Sequence, residues 1–159
     1  MAPVDGFDLA AWLAPLGIGE FGLQNGDLIS VGDMELGWYV AEREGVVVVE
    51  RTSRGGPRAG RGSFSDAGAA VRYLMIEISD GVRSDRRLRR LTAPTAEGIV
   101  VEDGPTAIHV RWSEGWAELH ADLSASRRAR LLARAVLRPL NEVGESCLDP
   151  GGSPLFTVA

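Results

Sequence analysis

The stretch Gly45–Leu74, GVVVVERTSRGGPRAGRGSFSDAGAAVRYL, passes through three patterns in thirty residues. Val46–Val49 are four β-branched residues in a row and read as the heart of a strand. The segment from 53 to 63 is rich in Gly and Arg, has no periodicity, and reads as a long loop. Phe64, Ala67, Val71, Leu74 and Ile78 then recur at three- and four-residue steps, which predicts an amphipathic helix over 65–79 with Ser65 as its N-cap.

Strand, glycine-rich loop and helix is also the order of parts in a phosphate-binding loop, and the residues fail that test. Gly55 and Gly60 supply the two glycines of G-x-x-x-x-G, but Arg61 and Gly62 stand where Lys and Ser/Thr belong. The lysine must reach the terminal phosphates and the hydroxyl must hold Mg²⁺. Pro57 removes one of the backbone N–H groups that would cradle the anion.

Upstream, DLISVG, MELGWYVA and VVVVERT read as three strands, the last two joined through a two-residue Glu44–Gly45 turn. Asp5 or Asp8 caps a short helix running through Leu13, and Pro15 stops it. Downstream, AIHVRWSEGWAELHA reads as a hairpin turning at Glu114–Gly115. That register pairs Trp112 with Ala117, Val110 with Leu119 and Ile108 with Ala121 on one face. It sets Arg111 against Glu118 and His109 against His120 on the other, with Trp116 on that outer face. A helix follows from Ser124 or Ser126 to Arg138, its Arg127, Arg130, Arg134 and Arg138 forming a solvated stripe opposite Ala129, Leu132, Ala133 and Val136. A short helix over 140–146 and a tail strand PLFTV complete the chain. The expectation is an α+β fold over residues 1–159, one domain, with an antiparallel sheet built from hairpins and two main helices packed on it.

The chain has 159 residues, and all 17 of its basic residues are arginine. The net charge of −5 is uneven: residues 1–42 hold seven acids and no base, while arginines crowd into 51–61, 83–90 and 127–138. Such patterning concerns partners and steering. Cys147 is the lone cysteine, which excludes an internal disulfide and fits a reducing compartment. No charged leader and no membrane-length apolar run is visible, so a cytoplasmic location and no membrane partner are expected.

No catalytic, cofactor or metal site emerges. His109 and His120 are the only histidines, and two imidazoles leave a zinc site short of ligands. No Ser-His-Asp, Cys-His or H-E-x-x-H arrangement is present. The arginine clusters could neutralise nucleic-acid phosphates, but a pI near 5.1 and the lack of an aromatic-interleaved motif oppose that reading. Protein binding suits the residues better: arginines gathered in a loop and an outward Trp116 are the side chains that anchor interfaces.

GWYVAEREGVVVVERTSRGGP, FSDAGAAVRYL, GVRSDRRLRRL and LNEVGESCLDPGGSPLF together resemble the bacterial immunity protein 61 family, which includes antitoxins of the tuberculosis necrotizing toxin type. The matching positions are Trp38, Arg51, Arg54, Gly55, Gly56, Pro57, Phe64, Tyr73, Leu74, Arg83, Asp149, Gly152, Pro154, Leu155 and Phe156. The resemblance implies a non-enzymatic immunity protein of a polymorphic-toxin system. Such a protein binds a cognate toxin domain, in that branch an NAD⁺ glycohydrolase, and covers its active site in a 1:1 complex.

The expected toxin-binding residues are Arg51, Arg54, Gly55, Gly56, Pro57, Arg58 and Arg61 on a positive loop, together with Trp116. The acidic edge at Asp27, Asp33 and Glu35 is the alternative. Phe64, Tyr73 and Leu74 fit the buried stripe of the helix. A nucleic-acid-binding accessory protein using Arg83–Arg90 and Arg127–Arg138, and a secretion chaperone, are the other functions open to this sequence.

Overall fold

The computed structural model describes residues 1–159. A short helix α1 (Leu9–Leu13) is capped by Asp8, whose carboxylate accepts the Ala11 N–H, and Pro15 lies in the single 3₁₀ turn that follows. Strands β1 (Gly19–Glu20), β2 (Asp27–Gly32), β3 (Leu36–Arg43), β4 (Val46–Ser53) and β5 (Ala59–Phe64) then lead into helix α2 (Ala67–Asp85). After β6 (Leu91–Thr92) come β7 (Val100–Asp103), β8 (Ala107–Trp112) and β9 (Gly115–His120). Helices α3 (Ala125–Ala135) and α4 (Leu140–Leu148) and the final strand β10 (Thr157–Val158) close the chain. The main sheet has eight antiparallel strands in the order β1-β2-β3-β4-β5-β9-β8-β7, and β6 and β10 pair separately. The expected α+β architecture is the observed one.

The β3–β4 hairpin turns at Glu44 and Gly45, both at positive φ, with Arg43 facing Val46. That is the mirror-image turn whose twist suits a hairpin. Inward residues of successive strands, among them Val31, Val40, Val49, Phe64, Val110, Ala117 and Leu119, meet α2 and α3 in one continuous core. The helices cover only this side of the sheet. On the other side Tyr39, Glu50, His109, Arg111, Glu118 and His120 face outward.

Four expectations need correction. The 53–63 segment is no long loop: its second half is strand β5, hydrogen-bonded to β4 on one side and β9 on the other. Ala-Gly-Arg-Gly-Ser is poor strand former material, so ladders on both sides override its local preference. Helix α2 starts from Asp66, which accepts the Ala69 N–H, while Ser65 Oγ is taken up by the Trp116 N–H; the helix also runs on past residue 79 to Asp85.

In the β8–β9 hairpin the turn is Ser113–Glu114, so Trp112 faces Gly115, Val110 faces Ala117 and Ile108 faces Leu119. Both faces are as expected, but the turn lies one position earlier and the pairing is shifted by two residues. Gly115 sits beneath the indole instead of in the turn: a Cβ there would lie 2.8 Å from the Trp112 ring and 2.5 Å from Ser65 Oγ. As a result His109 opposes Glu118 and His120 opposes Ala107, and the histidines are not a cross-strand pair. Finally, the arginine stripe of α3 is solvated only toward its end, where Arg134 and Arg138 are exposed, while Arg127 and Arg130 are partly covered. Arg127 reaches Leu91 O and Asp80, Arg134 reaches Leu155 O, and Arg138 pairs with Glu142 just beyond the helix.

The C-terminal segment is held by one buried cation. Arg83, 1% exposed, donates to the carbonyls of Arg89, Cys147, Asp149 and Pro150 at 2.6–3.1 Å. Asp149 in turn accepts the N–H groups of Gly151 and Ser153, and Leu155 and Phe156 enter the core. The resemblance at Arg83, Asp149, Gly152, Leu155 and Phe156 therefore falls on residues that close the fold, as it does at the buried Phe64, Tyr73 and Leu74.

Candidate functional site

Two hairpin ends meet at one corner of the sheet. Between β2 and β3, Asp33 Oδ1 accepts the N–H groups of both Glu35 and Leu36 at 2.8 Å, which ties the turn and leaves Met34 at its apex, 98% exposed. Between β4 and β5, Arg54 and Gly55 both adopt positive φ and Gly56 N–H closes onto Ser53 O at 3.0 Å. The Arg54 N–H then donates to Glu35 O at 2.7 Å, and its guanidinium pairs with the Glu35 carboxylate at 3.2 Å. The glycine-rich turn and part of the acidic edge, alternatives in sequence, thus form a single tip: Asp33, Met34, Glu35, Arg54, Gly55, Gly56 and Pro57. Met34 thus lies outside the strand expected from MELGWYVA, which begins at Leu36, and the Gly32–Asp33 pair before it is the turn signal.

The tip is not a positive loop. Of its arginines only Arg54 is well exposed, at 83%, and it is paired with Glu35. Arg58 folds back across the Tyr39 ring, 3.7 Å from its centroid, and grips Asp27 with two bonds of 2.7 and 2.9 Å. Glu50 and Arg43 complete that cluster, and the Asp27 side chain is fully buried within it. The Arg58 hydrogen bond is the chief cause that holds the Asp27 carboxyl below its usual pKa. Arg58 therefore positions the tip from below.

Arg61 and Arg51 turn to the helical side. Val49 pairs with Gly62 and Glu50 with Gly60, so Arg61 is the extra residue of a β-bulge. The bulge aims Arg61 at the buried Glu77 of α2, 2.6 Å away, where Arg51 also approaches at 3.5 Å. From there alternating charges continue through Asp122, Arg128 and Asp80 to Arg127, each contact between 2.7 and 3.4 Å. Asp122 sits below the usual carboxylate range: burial pushes its pKa up, and the Ser124 N–H, Arg128 and Arg61 together outweigh that.

Trp116 lies on the open face, 37% exposed and opposite Arg111, where no helix covers it. It stands beside Ser65, at the end of β5 remote from the tip, on the order of 20 Å away along the strands. Between the two lies a groove of about 370 Å³ lined by Val48, Glu50, Ser63, Thr106, Glu118 and His120. The structure thus brings together Arg54, Gly55, Gly56 and Pro57, ties up Arg58 and Arg61 and the partly exposed Arg51 in ion pairs, and sets Trp116 at the opposite end of one open surface. No three His, Cys, Asp or Glu side chains converge as a metal ion would require. Cys147 is fully buried and its thiol is pushed up to about 12 by that burial. No helix is long and apolar enough to cross a membrane.

No curated protein matches the chain in sequence. Among solved structures, Rv3902c from M. tuberculosis is similar in fold, with a TM-score of 0.73 and 19% sequence identity over 94% of this chain and 92% of that one. The family model described as immunity protein 61 matches residues 12–155. That match takes in the tip, the bulge, the open sheet face and the Arg83 closure together, and the chain belongs to the immunity protein 61 family.

Proposed function

We propose that this protein is an antitoxin that binds a cognate toxin domain in the cytoplasm and blocks its active site, with no chemistry of its own. Family membership supports an immunity role, and the observation that carries the surface assignment is the tip. It presents an apolar apex, Met34, flanked by Asp33, Glu35 and Arg54, on two short turns braced by the Asp27–Arg58 pair. Pre-ordered turns lose little entropy on docking, which favours tight inhibition.

A standard interface buries about 800 Å² per partner, more than one tip supplies. The adjoining open face, from Glu50 across the groove to Trp116, provides the remainder in this reading. Arg54, Gly55, Gly56, Pro57 and Trp116 are the contact residues, and Arg51, Arg58 and Arg61 position them.

The resemblance to antitoxins of the tuberculosis necrotizing toxin type favours an NAD⁺ glycohydrolase as the target. The test is to purify the folded effector domain encoded beside this chain and titrate the protein against its NAD⁺ hydrolysis. Stoichiometric inhibition, with a 1:1 complex by light scattering, is the expected result. Failure to bind the folded domain while capturing unfolded secretion substrates would overturn the proposal.

A further inference from the structure

The two arginine clusters that do not serve the tip converge elsewhere. The connection after α2 carries Arg86, Arg87, Arg89 and Arg90, all exposed and all outside the ion-pair network of the fold. Arg87 and Arg90 lean over a cavity of about 300 Å³ whose opposite wall is the start of α3. Five arginines line it, Arg83, Arg87, Arg90, Arg127 and Arg128, with the Asp80 carboxylate as the one acid. That carboxylate is already spent: Arg127 and Arg128 both bind its Oδ2, at 2.7 and 2.9 Å, and are fixed in place by it. Arg83 adds a buried positive charge satisfied by carbonyls, with no acid paired to it. Ser84 and Ser124 also belong to the lining, and the Ser124 side chain makes no capping bond to its helix.

We propose that this cavity is a binding site for a compact phosphoanion, a phosphate monoester or diphosphate group. The volume equals that of about ten water molecules, enough for an anion of this size. Guanidinium forks match phosphate oxygens geometrically, and two of them, Arg87 and Arg90, have no partner in the fold. Leu88 is the only apolar residue in the lining, so the site lacks the apolar and aromatic anchors that a peptide or protein partner requires. An extended nucleic acid would have to leave the cavity for a surface belonging to a chain with 22 acids and a net charge of −5. The site shares no residue with the toxin-facing tip, so it stands apart from the antitoxin reading.

The experiment is calorimetric titration of the full chain with sodium pyrophosphate at low ionic strength, with sodium chloride at matched ionic strength as control and a single-stranded oligonucleotide as a second ligand. The variant is Arg87→Asn with Arg90→Gln. Asn is chosen because residue 87 has φ +56, a conformation that Asn tolerates. Saturable pyrophosphate binding, weakened at least tenfold in the double variant while the thermal midpoint of the free protein is unchanged, supports the site. Heats no greater than those of chloride, or equal affinity in the variant, overturn it. Oligonucleotide binding that pyrophosphate does not displace also overturns it.

Discussion

Asp27 and Arg58 offer the sharpest test of how the tip is held. Asp27 has no exposed side-chain surface, and its partner makes a two-bond fork while lying on the Tyr39 ring. Replacing Asp27 by Asn keeps the shape but removes the charge and turns an amide donor toward a cation. Breaking a buried pair from one side costs about 3–5 kcal/mol. Glu50, 3.4 Å from Arg58, remains as a partial partner, so about 3 kcal/mol is expected. For a chain of this size that corresponds to a fall in Tm of roughly 6–12 °C.

Arg58→Met should cost a similar amount, and the double variant less than the sum, with a coupling of about 2 kcal/mol in a urea-unfolding cycle. The pH dependence follows from the lowered Asp27 pKa. Its stabilisation is complete above the ordinary carboxylate range and disappears as pH falls through the depressed folded value. Wild type should therefore lead Asp27→Asn by the full margin at neutral pH, and the gap should narrow as pH falls below about 4 and close below the depressed folded value. A loss under 1 kcal/mol, strict additivity, or a gap that persists in acid would refute the reasoning.

Other outcomes follow from the same geometry. Arg83→Leu orphans four carbonyl acceptors and should cost about 3–5 kcal/mol, with amide exchange accelerated over residues 149–158; Arg83→Lys should recover less than half, because an ammonium cannot span four acceptors. Met34→Asp or Arg54→Ala should shift Tm by no more than ~2 °C, since both side chains are exposed, yet raise the Kd for the toxin domain about tenfold in surface plasmon resonance. Cys147, buried with its pKa near 12, should resist a thiol reagent at about pH 8 in the native protein and react fully in urea.

What sequence disclosed and what it hid divide along physical lines. Val46–Val49, the Glu44–Gly45 turn and the 3.6-residue rhythm of α2 are local signals, and each produced the element expected. The hairpin at 107–120 showed the right faces because alternation is also local. Its register escaped because a glycine can serve a turn or make room for a neighbouring ring, and only the position of Trp112 distinguishes the two. Strand β5 was hidden for a different reason: nothing in Ala-Gly-Arg-Gly-Ser favours extension until β4 and β9 are on either side of it.

The candidate site was half legible. The turn at Arg54–Pro57 stood out, but the partners that neutralise its neighbours are 31 residues away for Arg58 and 16 for Arg61, distances no spacing rule reaches. Counting arginines therefore overstated the charge on offer. The same long-range pairing hid the meeting of Asp33–Glu35 with Arg54, which depends on β3 and β4 aligning Leu36 with Ser53.

Helices on only one side of an eight-stranded sheet have a further consequence. Because neighbouring side chains on a strand point in opposite directions, Tyr39 and Val40, or His109 and Val110, answer to separate demands. The inward member is constrained by a crowded interior, while an outward one such as His109 faces solvent; Tyr39, beneath Arg58, is an outward residue with a structural partner. Outward positions without a partner in the fold can therefore change side chain while the scaffold beneath stays intact.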